Sequence, residues 1–148
     1  MKRLRSRGRS ERGQALLETA ITLPILLLVS VGIFEFGRAY QTWQILTNAV
    51  REGARVAVLP NPDPGAVEAR VRQYMNAGDL PNAASATVAV DATTISIGAG
   101  TAAASQVTVN YPFQFMVMQP VVRLVTPDST LGAPLTLTAS AVMRNETQ

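Results

Sequence analysis

Cysteine and histidine are absent from the 148 residues, and lysine occurs once, at Lys2. Without them the chain has no disulfide, no zinc site of the usual kind and no Cys- or His-based nucleophile. A Ser–Lys dyad is disfavoured on the same ground. Charge is sparse as well, at 16 % of residues. Beyond the first segment the carboxylates are scattered from Glu35 to Glu146, with no pair at acid/base or metal-ligand spacing. Gly98-Ala99-Gly100 is no phosphate loop, because no lysine follows it. No catalytic residue, metal or cofactor is expected, and an enzyme is the least favoured class.

What the chain does have is a strong asymmetry. Residues 1–13 carry six basic side chains (Lys2, Arg3, Arg5, Arg7, Arg9, Arg12) against Glu11, a net +5. The remaining 135 residues carry seven basic and nine acidic groups, a net −2. The basic block abuts an uncharged apolar run, Thr19 to Phe34, which becomes 21 residues when extended back to Gln14. About 20 helical residues cross a bilayer core of ~30 Å. Lys/Arg flanks stay on the cytoplasmic side and set orientation. That context favours membrane lipids over nucleic acid as the partner of the basic block. A cleavable secretory signal would need a small-x-small site after the run, and EFGRAY offers none. A buried core helix would explain neither the tail nor the near-absence of polar residues. The expected topology is a single span with its N-terminus cytoplasmic and its C-terminal part extracytoplasmic.

Inside the run, Gln14, Glu18 and Thr22 recur every four residues and form a narrow polar stripe. A carboxylate at the centre of a spanning helix costs about 2.5–3.5 kcal/mol. Two readings of Glu18 stand at this point. It faces a partner, or it meets headgroup water near the basic flank. Pro24 removes one helical donor, which membrane helices tolerate better than soluble ones.

Apolar periodicity continues past the span through Ala39, Trp43, Leu46, Val50, Gly53 and Ala57, a heptad-like seam. One helix from about residue 14 to Leu59 is predicted, roughly 69 Å long. Its second half must pack on its own domain, on neighbouring subunits, or on both. Glu35 and Arg38 are spaced to pair at the outer interface. Arg51 and Arg55 share one face beside Glu52, as surface or subunit contacts. Asp63-Pro64 starts a second helix with Val67, Val71 and Tyr74 as its stripe, Met75 beside it and Gly78 past its end. Arg70 and Arg72 are expected on a solvated face.

From Ala84 the period becomes two. ATVAV and TTISI read as one bent strand or two short ones, SQVTVNY as a strand with Val107, Val109 and Tyr111 on one face, and residues 135–143 as the last strand. FQFMVMQPVVRLV between them reads as a connection or short helix. The fold class is α+β: a long N-terminal transmembrane helix continuing into a small domain with a second helix and a three- to four-stranded antiparallel sheet. The long helix is the expected cover of that sheet.

Taken together, RGQALLETAITLPILLLVSVGIFEFGRAYQ and NAVREGAR, with VTVNYPFQF and LTASAVMRNE later, resemble the TadE-like family of minor pilins, or pseudopilins, of the tight-adherence (Flp-type) pilus system. The likeness covers most of the chain and is densest over 12–58. It implies a prepilin peptidase cutting between Gly13 and Gln14. It also implies a processed subunit that joins other pilin or pseudopilin subunits and the pilus assembly platform. Glu18 becomes the fifth residue of the processed chain, placed to meet the Gln14 amine of a neighbour. The implied layout is a basic cytoplasmic leader (1–13), a transmembrane segment (14–37) and an extracytoplasmic pilin-like domain (38–148). Processing falls on Gly13, Gln14 and Glu18, and subunit assembly on Glu18, Gln14, Thr22, Trp43, Arg51 and Arg55. Major Flp pilins are very short and carry Glu-Tyr after the leader, whereas here Thr19 follows Glu18; both departures point to a minor subunit. The competing reading is an uncleaved, single-pass membrane-anchored binding module for an extracellular ligand.

Overall fold

A computed structural model describes residues 7–126 and 128–146. The first helix, α1, runs Arg7–Ala57, starting seven residues before Gln14. No proline lies between Arg7 and Gln14, and Gly8, Ser10 and Gly13 do not break the helix, which runs back through Gly13. Pro24 lies inside it without ending it. Two hydroxyls within the apolar stretch turn back on the helix: Thr19 Oγ1 donates to Ala15 O at 2.9 Å and Ser30 Oγ to Leu26 O at 2.8 Å. Such bonds satisfy polar groups that lipid cannot. The end comes at Ala57, two residues before the predicted Leu59, because Pro60 restricts its predecessor and Asn61 takes a left-handed turn at φ 53°.

The described residues fall into two compact units. One holds 37–114 and 133–146 and contains the sheet. Strands β1 (Thr87–Ile97), β2 (Gly100–Phe113) and β3 (Leu135–Arg144) form an antiparallel sheet in the order β1-β2-β3. Sheet and helices make the fold α+β, as the periodicities predict. Gly98, at φ +58°, opens the two-residue β1–β2 turn, a role that suits glycine. β1 is one strand in continuous register, yet its more buried positions switch face at Asp91-Ala92, where both residues are exposed. That switch makes the sequence read as two segments. Val107, Val109 and Tyr111 are buried on one face, as their alternation predicts, with Phe113 following the same parity.

The 37–57 stretch of α1 buries Leu46, Ala49, Val50, Ala54 and Ala57. Its seam differs from the heptad reading at one end. Thr42 is buried and Trp43 is 42 % exposed. Thr42 sits one turn before Leu46, whereas the Trp43 ring leans on Tyr40, with centroids 6.2 Å apart. Gly53 marks the closest packing. A Cβ there would lie 2.5 Å from Val71 Cγ2 and 3.4 Å from Val107 Cγ1, so α1, the second helix and β2 meet at that point.

Helix α2, Pro64–Ala77, begins as its sequence predicts: Asp63 Oδ1 accepts from Gly65 N at 2.9 Å, and Pro64 takes the first position. Its buried stripe is Val67, Val71 and Met75. Tyr74, predicted in the stripe, is only half-buried, since positions spaced by four line up better here than a 4, 3 step. Gly78 does stand past the helix end, but at φ −87°, and the left-handed residue is Asp79 at φ 55°. Glycine is required at 78 for closeness instead: a Cβ would come within 2.8 Å of Ile45 Cγ2.

Arg72 does not stand on the solvated face expected of it, and Arg70, with its side chain 42 % exposed, is only partly there. Arg72 donates to Glu68 Oε1 at 2.8 Å, to Ala83 O at 2.8 Å and to Ala86 O at 3.1 Å. A 3₁₀ turn, Ala83–Ser85, brings those carbonyls to one place, where a planar guanidinium can serve several at once. Arg70 Nη2 lies 2.9 Å from Glu52 Oε2.

The other unit holds 7–36 and 115–132. The ambiguous FQFMVMQPVVRLV resolves into the end of β2 and a helix, α3, Met118–Val125. Pro120 is its third residue, where the backbone donor would lack an intrahelical partner anyway. Gly132, at φ +79°, returns so close to α3 that a Cβ would sit 2.6 Å from Gln119 N.

Candidate membrane and assembly interface

From Gly13 to Ser30 every side chain of α1 is exposed, including Leu16 at 72 % and Leu17 at 63 %. Over its most apolar 18 residues the mean hydropathy is 2.2 and none of the stretch is buried. A soluble core helix would hide such a surface. One helix among the described residues is therefore long and apolar enough to cross a membrane, and its 13–30 stretch is bare on all sides. Glu18 shares a shallow groove with Ala15, Thr19, Thr22, Leu23 and Leu26. Gln14, one turn earlier, is exposed too. The structure thus keeps Glu18 and Thr22 on a common, accessible face with small neighbours.

Glu35 is the residue that sequence reasoning underrated. Expected at the outer interface, it is 0 % exposed. Its Oε1 accepts from Met116 N at 2.7 Å and from Val117 N at 2.6 Å. Val117 is the N-cap of α3 and supplies no side-chain cap of its own. A carboxylate at that point complements the helix N-terminus. One signal was available: a charge set between Phe34 and Phe36 at the end of an apolar run must find donors or pay for burial. Which donors it finds, some eighty residues on, no local pattern tells. Phe36 also meets Phe115 edge to face, at 6.3 Å between centroids.

In the sheet-bearing unit, Arg38 Nη2 donates to Gln114 O at 2.9 Å and its guanidinium stands 5.0 Å over the Phe113 ring. Arg51 and Arg55 are both exposed. Arg55 Nη1 lies 3.0 Å from Glu52 Oε1, and Arg51 approaches Asn48 at 3.5 Å. Glu52 therefore stands between Arg55 and Arg70. The Arg70 hydrogen bond holds its carboxyl below the ordinary range, against a smaller upward pull from burial, and the charges of Arg55 and Arg70 add to the lowering. A depressed folded pKa contributes stability above the unfolded value, and that contribution is lost as pH falls through the folded one. Arg70→Ala should thus lower the melting temperature modestly at pH 7, with the gap to wild type closing as the pH falls below the ordinary carboxylate range. Thermal melts across that range check it; a gap that persists at low pH would assign the effect to packing by the Arg70 stem. Among the described residues, no group of three or more Asp or Glu is placed to hold a metal ion.

Comparison with curated proteins and with solved structures returned no match. The family model described as TadE-like protein matches residues 13–55. That match begins at Gly13, covers the bare apolar helix with Glu18, and ends at Arg55 beside the Glu52 ion pairs. Over residues 13–55 the chain is thus similar to the TadE-like family.

Proposed function

We propose that the protein is a non-enzymatic minor pilin, or pseudopilin, of the tight-adherence pilus, cut by a prepilin peptidase after Gly13. The supporting observation is a bare apolar helix bearing one carboxylate, Glu18, within a segment that matches the TadE-like family. In this reading residues 1–13 are a cytoplasmic leader, 14–37 span the inner membrane, and 38–148 are extracytoplasmic. Once the leader is gone, the Gln14 amine is a new positive charge four residues from Glu18. Neighbouring subunits then place the amine of one against the Glu18 carboxylate of the other. Each charge alone is penalised in lipid, and the pair is not. Trp43, Arg51 and Arg55 lie on the exposed side of α1, available to further subunits or to the assembly platform.

Intact-mass measurement of the protein from its host should show residues 1–13 removed, and Gly13→Ala should retain them. A full-length product in the wild type would end the processing claim. That outcome would favour an uncleaved anchored module binding an extracellular ligand. One observation supports this second reading: α1 passes through Gly13-Gln14 without interruption, whereas a protease needs its substrate locally opened.

A further inference from the structure

We propose that residues 115–132 are a second membrane contact, an apolar foot lying in the headgroup boundary of the leaflet remote from the N-terminus and tethered there by Glu35. The inference rests on the reading of 14–37 as the transmembrane segment, whose apolar run ends at Phe34. Glu35 follows that run directly. Its Cα stands about 31 Å along the helix from Gln14, close to the ~30 Å of a hydrocarbon core. Its carboxylate holds the Met116 and Val117 amides at 2.7 and 2.6 Å. These two residues are thereby fixed at the level where the span leaves the lipid. Both are exposed, Met116 at 69 %, and Leu131 at the other end of the segment is exposed at 65 %. In water three exposed large apolar side chains in one short segment are a liability. Beside a span they continue its apolar surface, which also includes exposed Phe34 and Phe36.

The polar members of the segment suit the same position. Arg123, in the last turn of α3, is exposed and long enough to reach lipid phosphate while its stem stays apolar. Asp128, Ser129 and Thr130 follow α3 in a turn, with Asp128 and Thr130 exposed to the aqueous side of the boundary. Met118 and Val122 point the other way and are buried, so α3 has one face spent on the protein. An amphipathic segment of this kind seats about 5–10 Å into the headgroup–acyl boundary. Lipid, rather than a second subunit, is the occupant because the tether sets the foot at the mouth of the span, where lipid is already the neighbour.

The absence of cysteine makes the test direct. Single-cysteine variants Leu26→Cys, Met116→Cys and Leu131→Cys of the full chain are spin-labelled and reconstituted in phosphatidylethanolamine–phosphatidylglycerol vesicles at high lipid excess. Collision with oxygen against a soluble nickel chelate then reads depth. The expected result is a deep label at Leu26 and shallow but lipid-facing labels at Met116 and Leu131. Water-like labels at both positions, with Leu26 deep, overturn the foot and leave the span standing. A water-like Leu26 overturns the span and the foot with it. Protection that grows with the protein-to-lipid ratio means a second copy covers the segment, which also overturns the proposal. Glu35→Ala should raise nickel access at Met116 several-fold with Leu26 unchanged; an unmoved Met116 label removes Glu35 as the tether.

Discussion

Glu18→Ala is expected to leave the protein inserted in the membrane and to remove it almost completely from assembled pilus material. Insertion should survive, because alanine is cheaper in lipid than a carboxylate by a few kcal/mol. Assembly should not, because the neighbouring Gln14 amine would be left charged and unpaired. Breaking one side of a buried pair costs about 3–5 kcal/mol, or roughly two to four orders of magnitude in association. The measurement is the ratio of protein in sheared pilus fractions to protein in membranes. Glu18→Asp separates geometry from charge: it keeps the charge on a shorter reach and should retain part of the assembly. Wild-type incorporation of Glu18→Ala would return Glu18 to the interfacial, water-solvated reading. The structure bears on the choice through the neighbours of Glu18. Ala15, Thr19 and Thr22 are small, so a partner helix can approach the carboxylate closely.

The second large effect belongs to Tyr111→Ala. Tyr111 heads the fully buried side chains by size and sits opposite Leu137 across β2 and β3. Its hydroxyl accepts from Asn82 N at 3.3 Å, tying the 3₁₀ turn region to the sheet. Truncating a buried aromatic ring to alanine costs about 3–5 kcal/mol, enough to lower the melting temperature by more than 10 °C in a domain of about 100 residues. Tyr111→Phe removes only the hydroxyl and should cost about 1 kcal/mol. Thermal unfolding of the purified full chain in detergent resolves the two. If Tyr111→Phe falls as far as Tyr111→Ala, the Asn82 bond and not the packing of the ring carries the stability.

The long helix, the capped start of α2 and the alternation of β2 and β3 were legible because each rests on a short-range period or a cap. So was a helix long and apolar enough to cross a membrane. What escaped was set by pairs far apart in the chain. Arg72 could be placed on a helix from its neighbours, but the carbonyls it serves come from a turn eleven to fourteen residues on. The backbone amides that Glu35 serves lie eighty-one and eighty-two residues away. Trp43 matched the seam by spacing, yet Thr42 took the buried place, since spacings of three and four cannot alone decide which edge of a stripe faces inward. Gly78 was placed correctly for a conformational reason it does not use; its small size against Ile45 matters instead.

The two close approaches of α1 also say how a load along it would be carried. Ile45 sits over Gly78, and Val71 sits over Gly53. The α1 members of these contacts are eight residues apart, about 12 Å along the axis. Each works as a key in a slot, one projecting from α1 and the other into it. Sliding or rolling α1 against α2 must therefore unseat both at once. At the far end, Ser105 Oγ bonds Ala57 O at 3.2 Å, and Glu146 N bonds Val58 O at 3.0 Å just after β3. A pull on the helix would reach the sheet as shear spread over opposed keys and end bonds, not as a peel that opens one contact at a time.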